Sequence, residues 1–471
     1  MNLPAIYPVT CNTKYVGPGS TFVAIKGHAV DGADFIPQAI KQGAKKIVIE
    51  HRSNDAHIVS LCEALNVEIE FVSDARKALA TQASSALGHP TKKLKIIGIT
   101  GTKGKSTTTY LIEHILAQSG HKTALLGTIT NKIHGQALES TLTTPDSDYL
   151  HMFFATCVQE QVEYVVMEVS SHALALDRVY GVEFSTVGFS NLYPDHQDFH
   201  HSMDDYFAAK SRIFSQLQKG GSAVINIDDE WGGEADKACS QNAIETIALS
   251  LDKTFSIINN TLSQISISIK NGSENNTFSC RGLYGSFNAY NLAMAVLVCL
   301  KEGLTPEAIT QALEKFSGVP GRMQLHQLRN GAHAFVDYAH NAAAMTAVLQ
   351  TLRPSTDHLI VVFGCGGDKD KTRRPTMGQA AAQYADLIIL TDDNPRSEDR
   401  QAIVNDILAG INESKKNIVR CELDRRQAIA QAAQRAGPAS VIALLGKGHE
   451  NYYIINGRTE HFDDFEEISK F

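Results

Sequence analysis

The run Gly101-Thr102-Lys103-Gly104-Lys105-Ser106-Thr107 has the residue types that bind nucleotide phosphates. It follows apolar residues 96–97 and opens onto an apolar-periodic stretch at 107–117, which places it between a strand and a helix. Such a turn aims backbone N–H groups and the positive end of a helix dipole at one anion. Lys105 can reach the β- and γ-phosphates, and the Ser106 hydroxyl can ligate Mg²⁺. The common phosphate-loop spacing has a glycine where this chain carries Ile99; the first glycine is Gly101, so the loop is a short variant.

Three further groups carry chemistry. Glu168 ends an apolar run and would emerge beside the phosphate loop, where a carboxylate suits Mg²⁺, a cation that prefers oxygen ligands. Equally, Glu168 could cap a helix, with Ser170 and Ser171 making a turn. The segment Asn191-Leu192-Tyr193-Pro194-Asp195-His196-Gln197-Asp198-Phe199-His200-His201 is rich in His and Asp. Its spacing matches no zinc pattern, and no cysteine joins it. It fits a second Mg²⁺ near a γ-phosphate, or simply polar loop histidines. Lys210, among Tyr206, Phe207, Ala208 and Ala209, reads locally as a lysine snorkelling to solvent.

The elements that must hold these groups fall into three blocks. Residues 1–84 carry short strands at 21–25, 46–49 and 69–72 and a helix at 35–42. The second block starts at Lys95, with strands at 163–169, 185–190 and 223–227 and helices at 203–217, 290–302 and 306–316. Alternating apolar residues at 265–269 indicate an antiparallel flap. Gly318-Val319-Pro320-Gly321 has hinge composition. In the third block, strands at 334–337, 359–363, 387–390, 418–421 and 441–445 alternate with helical patterns, as in a doubly wound parallel sheet. Polar clusters at 337–340, 364–371, 392–399 and 446–450 fall at the C-terminal strand ends, where such sheets bind ligands.

The 471 residues allow about three domains. A 43% apolar and 20% charged composition is that of a globular protein. Net charge is −8 with no dense Lys/Arg tract, which argues against a nucleic-acid surface. No apolar stretch reaches the ~20 residues of a membrane helix. The start, Met1-Asn2-Leu3-Pro4, lacks a signal-peptide pattern. Eight scattered cysteines without a C-x-x-C pair indicate reduced thiols and a cytoplasmic location.

The chain resembles the Mur ligase family over essentially its whole length. The resemblance rests on Phe22-Val23-Ala24, Gly27-His28 and Asp31-Gly32; on the loop at 101–107 and Thr143-Thr144-Pro145; and on 168–172, Asp195-His196, Asp198, His200 and Lys210. It continues through Gly285-Ser286-Phe287-Asn288, Asn291, 337–340, Gly366-Gly367-Asp368, Asp393-Asn394-Pro395-Arg396 and Gly446-Lys447-Gly448-His449-Glu450.

That resemblance implies an α/β chain of three domains. These are an N-terminal uridine-binding domain at 1–84, a central P-loop-like ATPase domain at 85–322 and a C-terminal Rossmann-like, amino-acid-binding domain at 323–471. It implies an ATP-dependent ligation through an acyl phosphate, adding meso-diaminopimelate to UDP-N-acetylmuramoyl-L-alanyl-D-glutamate in peptidoglycan precursor synthesis, by a monomer. L-lysine is the alternative amino acid, and a folylpolyglutamate- or cyanophycin-type ligase the more distant reading.

By the same resemblance, residues 101–107 with Asn288, Arg322 and Asp337 bind ATP. Ser106, Glu168, His196 and Lys210 hold Mg²⁺, Lys210 as a carbamate derived from CO₂. A free lysine is a cation with a pKa near 10.4, whereas a carbamate is an anionic oxygen ligand. Lys105, Lys210 and His196 are the expected catalytic groups. Thr13, His28, Ala29, Val30, Thr143, Thr144, Ser170 and Arg178 meet the UDP-sugar substrate. Lys369, Asp393, Asn394, Pro395, Arg396, Gly446 and Glu450 meet the amino acid. Arg396 offers a bidentate fork to a distal carboxylate that lysine lacks, and Gly446 and Glu450 take the distal ammonium.

Several positions depart from the family pattern. Lys369 stands where an Arg is usual and lacks its fork. Asn341-Ala342-Ala343 follows His340 in place of Thr-Pro-Asp. Cys11-Asn12-Thr13-Lys14 replaces Leu-Asp-Ser-Arg, Leu142 an Asn, Pro194 an Arg and Lys103 an Asn.

Overall fold

The computed structural model describes residues 2–27, 30–50, 56–271 and 274–471. The chain divides into two compact units. The first comprises Met1–Ser256, Ser268–Asn276 and Tyr290–Leu313; the second comprises Ile257–Ile267, Thr277–Ala289 and Glu314–Phe471.

The first unit contains two sheets. Strands Val9–Thr10, Thr21–Ala24, Lys46–Glu50 and Glu68–Val72 lie in that order, all parallel. Phe22, Ala24, Ile47 and Ile49 join one apolar cluster, while Val9, Val23 and Val48 join another with Ala75, Leu79 and Ala83. Both faces of the two central strands are therefore covered, which explains why Thr21–Ala24 and Lys46–Glu50 carry near-continuous apolar runs, whereas the edge strand Glu68–Val72 alternates.

The larger sheet runs Glu245–Leu249, Leu217–Asn226, Phe184–Phe189, Lys95–Thr100, Tyr164–Glu168, Thr123–Leu126, Asn131–Ile133, Gln136–Leu138. Its last two pairings are antiparallel and the rest parallel. The strands Lys95–Thr100 and Thr123–Leu126 are consecutive in chain order but separated by Tyr164–Glu168. This is a topological switch point, the place where a crevice opens at the strand ends. The segments after Thr100, Leu126, Glu168 and Phe189 all emerge there.

The second unit contains a six-stranded sheet in the order Gln324–Gln327, His333–Asp337, Val441–Leu445, Leu359–Phe363, Leu387–Leu390, Val419–Cys421. The first pair is antiparallel and the others parallel. Phe335, Val361, Ile388 and Leu445 face one apolar cluster, and Ala334, Val336, Ile360, Ile442 and Leu444 the other. This is the doubly wound arrangement expected from the spacing. A two-stranded hairpin, Tyr452–Ile455 with Arg458–His461, follows. Strands Phe255–Asn260, Ile265–Asn271 and Glu274–Cys280 form a separate sheet.

Boundaries differ from expectation in instructive ways. The helix at 107–117 begins earlier, as Lys105–Gln118, because Gly104 itself is the N-cap. The helix expected over 203–217 is Met203–Ser211, followed by a 3-10 turn Arg212–Gln216. Leu217 already pairs with Phe184, so the strand expected at 223–227 is the longer Leu217–Asn226. Asn341 accepts a hydrogen bond from the Ala344 amide and caps the helix Ala342–Leu352, giving that departure a local purpose. Among the described residues no helix is long and apolar enough to cross a membrane.

Candidate functional site

In the first unit, the turn at 101–104 joins Lys95–Thr100 to the helix Lys105–Gln118. Gly104 has φ +88°, and a Cβ there would lie 2.3 Å from Asn291 Oδ1. Only glycine fits both conditions. Neighbouring strand ends fix the turn. The Thr102 amide donates to Asn191 O (2.9 Å), and the Lys103 amide to Asn191 Oδ1 (2.9 Å). Thr102 Oγ1 lies 3.2 Å from the Tyr206 hydroxyl. Lys103 Nζ pairs with Asp195 (3.0 Å). Ser106 and Thr107 are buried in the first helical turn.

Two lysine amines converge on the loop. Lys105 Nζ donates to the carbonyls of Gly101 (2.8 Å) and Thr102 (3.1 Å). Lys210 Nζ donates to Gly101 O at 2.9 Å. Its helix is started by Ser202, whose hydroxyl accepts from the Asp205 amide, with Asp204 and Asp205 in the first turn. Lys210 is 1% exposed and lies over the Tyr206 ring, so it does not snorkel as its local sequence suggests. Burial first, and then the Lys105 charge, push its amine well below the ordinary lysine range.

Glu168 is paired with Ile99 on the next strand and is buried. It does not cap a helix; Ser170 does, accepting from the Ala173 amide. The Glu168 carboxylate accepts from the Thr128 amide (2.8 Å) and hydroxyl (3.1 Å). Thr128 Oγ1 also lies 3.0 Å from Thr143 Oγ1. Thr144 Oγ1 donates to Glu168 O and accepts from the Ser170 amide, and Arg178 reaches Thr144 O (3.0 Å). Thus Thr143, Thr144, Ser170 and Arg178 cluster around Glu168.

His196 sits at φ +54° in its loop, its ring 4.9 Å from that of His172 and 6.1 Å from Tyr206. Desolvation first, then His172, Lys105 and Lys210, hold it below the ordinary imidazole range against the pull of Asp195. A neutral imidazole is the form that ligates metal. Ser106 and the buried Glu168 offer oxygen donors of the kind Mg²⁺ prefers, and His196 would add a nitrogen donor.

The 3-10 turn Thr13–Tyr15 is tied to the 143–148 segment. Thr10 Oγ1 donates to Asp148 (2.6 Å), as does the Cys11 amide (3.2 Å). Val30 is 62% exposed; His28 and Ala29 lie outside the described residues.

In the second unit, Asn288 is buried and donates to Tyr284 O (2.9 Å). Arg322 lies over the Tyr338 ring at 4.7 Å. The Asp337 carboxylate accepts from the Met323 and Ala339 amides, bringing Arg322 and Asp337 together. Asn394 Nδ2 donates to Glu450 (2.8 Å), while its Oδ1 accepts from the Ile454 amide (2.9 Å). Arg396 Nη1 donates to Gly367 O (2.8 Å) and Asn394 O (3.3 Å). Gly446 donates through its amide to Asp337 O. Burial first, then Asp393, raises the Glu450 carboxyl. Pro395 and Asp393 are buried in the same loop, whereas Lys369 is exposed.

Thr128, Asn191, Tyr206 and Lys447 were missing from the expected site. Lys447 is fully buried and approaches Asn394 Oδ1 (3.4 Å) and Glu450 (3.6 Å). Its place in the run 446–450 was a usable signal; Thr128 had none, because its contact with Glu168 spans 40 residues.

Residues 5–89, 99–299 and 321–448 match the families described as "Mur ligase family, catalytic domain", "Mur ligase middle domain" and "Mur ligase, glutamate ligase domain". A protein of Clostridium botulinum, named UDP-N-acetylmuramoyl-L-alanyl-D-glutamate--2,6-diaminopimelate ligase, is 40% identical over 100% of this chain and 95% of its own length. One of Aquifex aeolicus with the same name is 39% identical, covering 99% and 94%. A solved structure carrying that name superposes with a TM-score of 0.69 at 29% identity, covering 99% of this chain and 94% of its own. With these matches running from end to end, the chain belongs to the Mur ligase family.

Proposed function

We propose that the chain is an ATP-dependent amide ligase that adds meso-diaminopimelate to UDP-N-acetylmuramoyl-L-alanyl-D-glutamate. The observation that carries the choice of amino acid is the linkage of Arg396 and Glu450 through Asn394. A guanidinium and a carboxylate held in one site match a distal centre bearing both a carboxylate and an ammonium group. The names borne by relatives about 40% identical over the full chain support the same reading.

In this reading residues 1–84 hold uridine, with Thr13 and the 28–30 segment, and residues 85–322 hold ATP. Residues 323–471 hold the amino acid. Thr143, Thr144, Ser170 and Arg178 position the muramoyl peptide. Its terminal carboxylate attacks the γ-phosphate, forming an acyl phosphate and releasing ADP. The diaminopimelate amine then attacks the acyl carbon, and phosphate leaves. Loop residues 101–107 and Lys105 bind and orient the phosphates. Ser106, Glu168 and His196 would hold Mg²⁺, which would supply charge neutralisation at the phosphates. A neutral, buried Lys210 amine is the form that adds CO₂, losing one proton and leaving a carbamate that presents anionic oxygen.

The test is phosphate release with UDP-N-acetylmuramoyl-L-alanyl-D-glutamate, ATP and each amino acid in turn, with product mass measured. Diaminopimelate turnover exceeding lysine turnover is expected; the reverse order overturns the choice.

A further inference from the structure

We propose that Arg374 is a positioning residue for the amino-acid site, locking the loop at 366–369 to the loop at 393–398 through Glu398 and the Gly366 carbonyl. This rests on the function proposed above, in which Lys369 and Arg396 meet the incoming amino acid.

Arg374 lies in the first turn of the helix Arg373–Tyr384 and is 0% exposed, so it cannot itself touch substrate. Its guanidinium is spent on the two loops. Nη1 and Nη2 donate to the two Glu398 oxygens at 2.9 and 2.7 Å, and Nη2 also donates to Gly366 O at 3.3 Å. Nη1 reaches Asp406 (2.8 Å), which anchors the group to the helix Arg400–Leu408. Only a planar fork reaches acceptors on several sides at once; an ammonium cannot reproduce it.

The loops Arg374 joins are interlocked beyond it. Glu398 also accepts from the Asp368 amide (3.1 Å), and Asp368 accepts from the Ser397 amide and hydroxyl (3.1 and 2.8 Å). The Gly367 amide donates to Asn394 O, and a Cβ at Gly367 would lie 1.9 Å from Pro395 O. Arg396 returns its guanidinium to Gly367 O. Asp368 and Arg396 both hold left-handed backbones, φ +55° and +53°. Such conformations in non-glycine residues persist only where surrounding contacts over-determine them. Glu398 is the shared acceptor, and Arg374 holds Glu398. Lys369 follows Asp368 directly, so the Arg374–Glu398 pair, with Lys371 also on Glu398 at 2.7 Å, contributes to the separation of the two cations offered to the amino acid.

The experiment measures KM for the diamino acid, for ATP and for the muramoyl substrate, with kcat, in the full-length enzyme and in Arg374→Lys, Glu398→Gln and Asp406→Asn. Arg374→Lys and Glu398→Gln are expected to raise the diamino-acid KM about tenfold or more, with kcat and the other two KM values changed less than about threefold. Asp406→Asn, which leaves both loop contacts in place, is expected to change it less than Glu398→Gln does. A purely structural role would lower the melting temperature and leave KM unmoved. Folded Glu398→Gln enzyme with a diamino-acid KM within about twofold of the parent, or with all three KM values raised alike, overturns the proposal. Glu398 lies in a loop, so this variant decides the matter whether or not the Arg374 variant folds. The comparison uses whichever diamino acid the parent enzyme ligates. Absent diaminopimelate turnover in the parent thus overturns the proposed function, and unmoved KM values in the variants overturn this inference.

Discussion

Lys210 and Lys105 both donate to the Gly101 carbonyl, at 2.9 and 2.8 Å, although one comes from a helix 109 residues beyond the loop and the other from the loop's own helix. Two ammonium groups on one carbonyl repel, and Lys210 is the buried one. Burial and the neighbouring charge therefore act in the same direction on it, favouring the neutral amine. A neutral amine is a nucleophile, which makes Lys210 chemically suited to CO₂ addition.

Lys210→Ala is expected to lower ligation by at least about a hundredfold, the scale seen when one charge-positioning group is removed from an active site. Short carboxylic acids added to the assay should restore part of the rate by supplying the missing anionic oxygen. Full activity in the variant, measured by phosphate release, removes Lys210 from the mechanism. Loss of activity with no response to carboxylic acids limits its role to holding the Gly101 carbonyl.

The strand, turn and helix around residues 101–107 were legible because their information is local. Strand, glycine turn and helix N-terminus occupy one short segment, and the structure places them as the residue order dictates. The parallel sheet of the second unit was legible for the same reason, since apolar runs buried on both faces mark each strand. Lys210 was not. Nothing in its neighbours reveals that the helix Met203–Ser211 turns it toward Gly101 rather than solvent. Thr128 beneath Glu168 and Arg374 beneath Glu398 were hidden likewise, since each contact joins residues 24 or more positions apart. The helix at 203–217 was overextended because strand pairing of Leu217 with Phe184 overrides helical periodicity there.

Gly104→Ala should remove nucleotide binding without unfolding the chain. The added Cβ would meet Asn291 Oδ1 at 2.3 Å, and φ +88° is strained for alanine. The helix Lys105–Gln118 would keep its packing, but its N-terminus would no longer be presented to an anion. Calorimetric titration with ATP and Mg²⁺ should show at least about a tenfold weaker affinity. Unchanged affinity rules out this turn as the phosphate site.

Lys369 and Arg396 make opposite predictions. Lys369 is exposed and keeps a charge without a fork. Lys369→Arg should lower the diaminopimelate KM by a few-fold, because a bidentate pair replaces a point charge. Arg396→Lys should raise it about tenfold to a hundredfold, since a charged hydrogen bond contributes about 1.5–3 kcal/mol. The distal carboxylate is absent from L-lysine, so KM for lysine should respond less to Arg396→Lys. Equal responses to both amino acids remove Arg396 as the discriminating group.

Arg425 and Asp464 form an ion pair that is almost wholly buried, with two contacts of 2.7 Å. Arg425 also donates to the carbonyls of Asp392 (3.1 Å) and Leu445 (3.0 Å), the residues immediately before Asp393 and Gly446. Asp464→Asn removes the directly bonded anion and leaves the buried guanidinium with only the charges of Asp393 and Asp392 nearby, a change that costs up to about 3–5 kcal/mol. Urea unfolding followed by circular dichroism should show that loss in the transition of the second unit. The double variant Arg425→Met with Asp464→Leu leaves no isolated charge and should recover much of the stability. It should not recover the diaminopimelate KM, because the carbonyls before Asp393 and Gly446 lose their shared donor. Asp464→Asn within about 1 kcal/mol of the parent shows that the pair does not hold this end of the sheet.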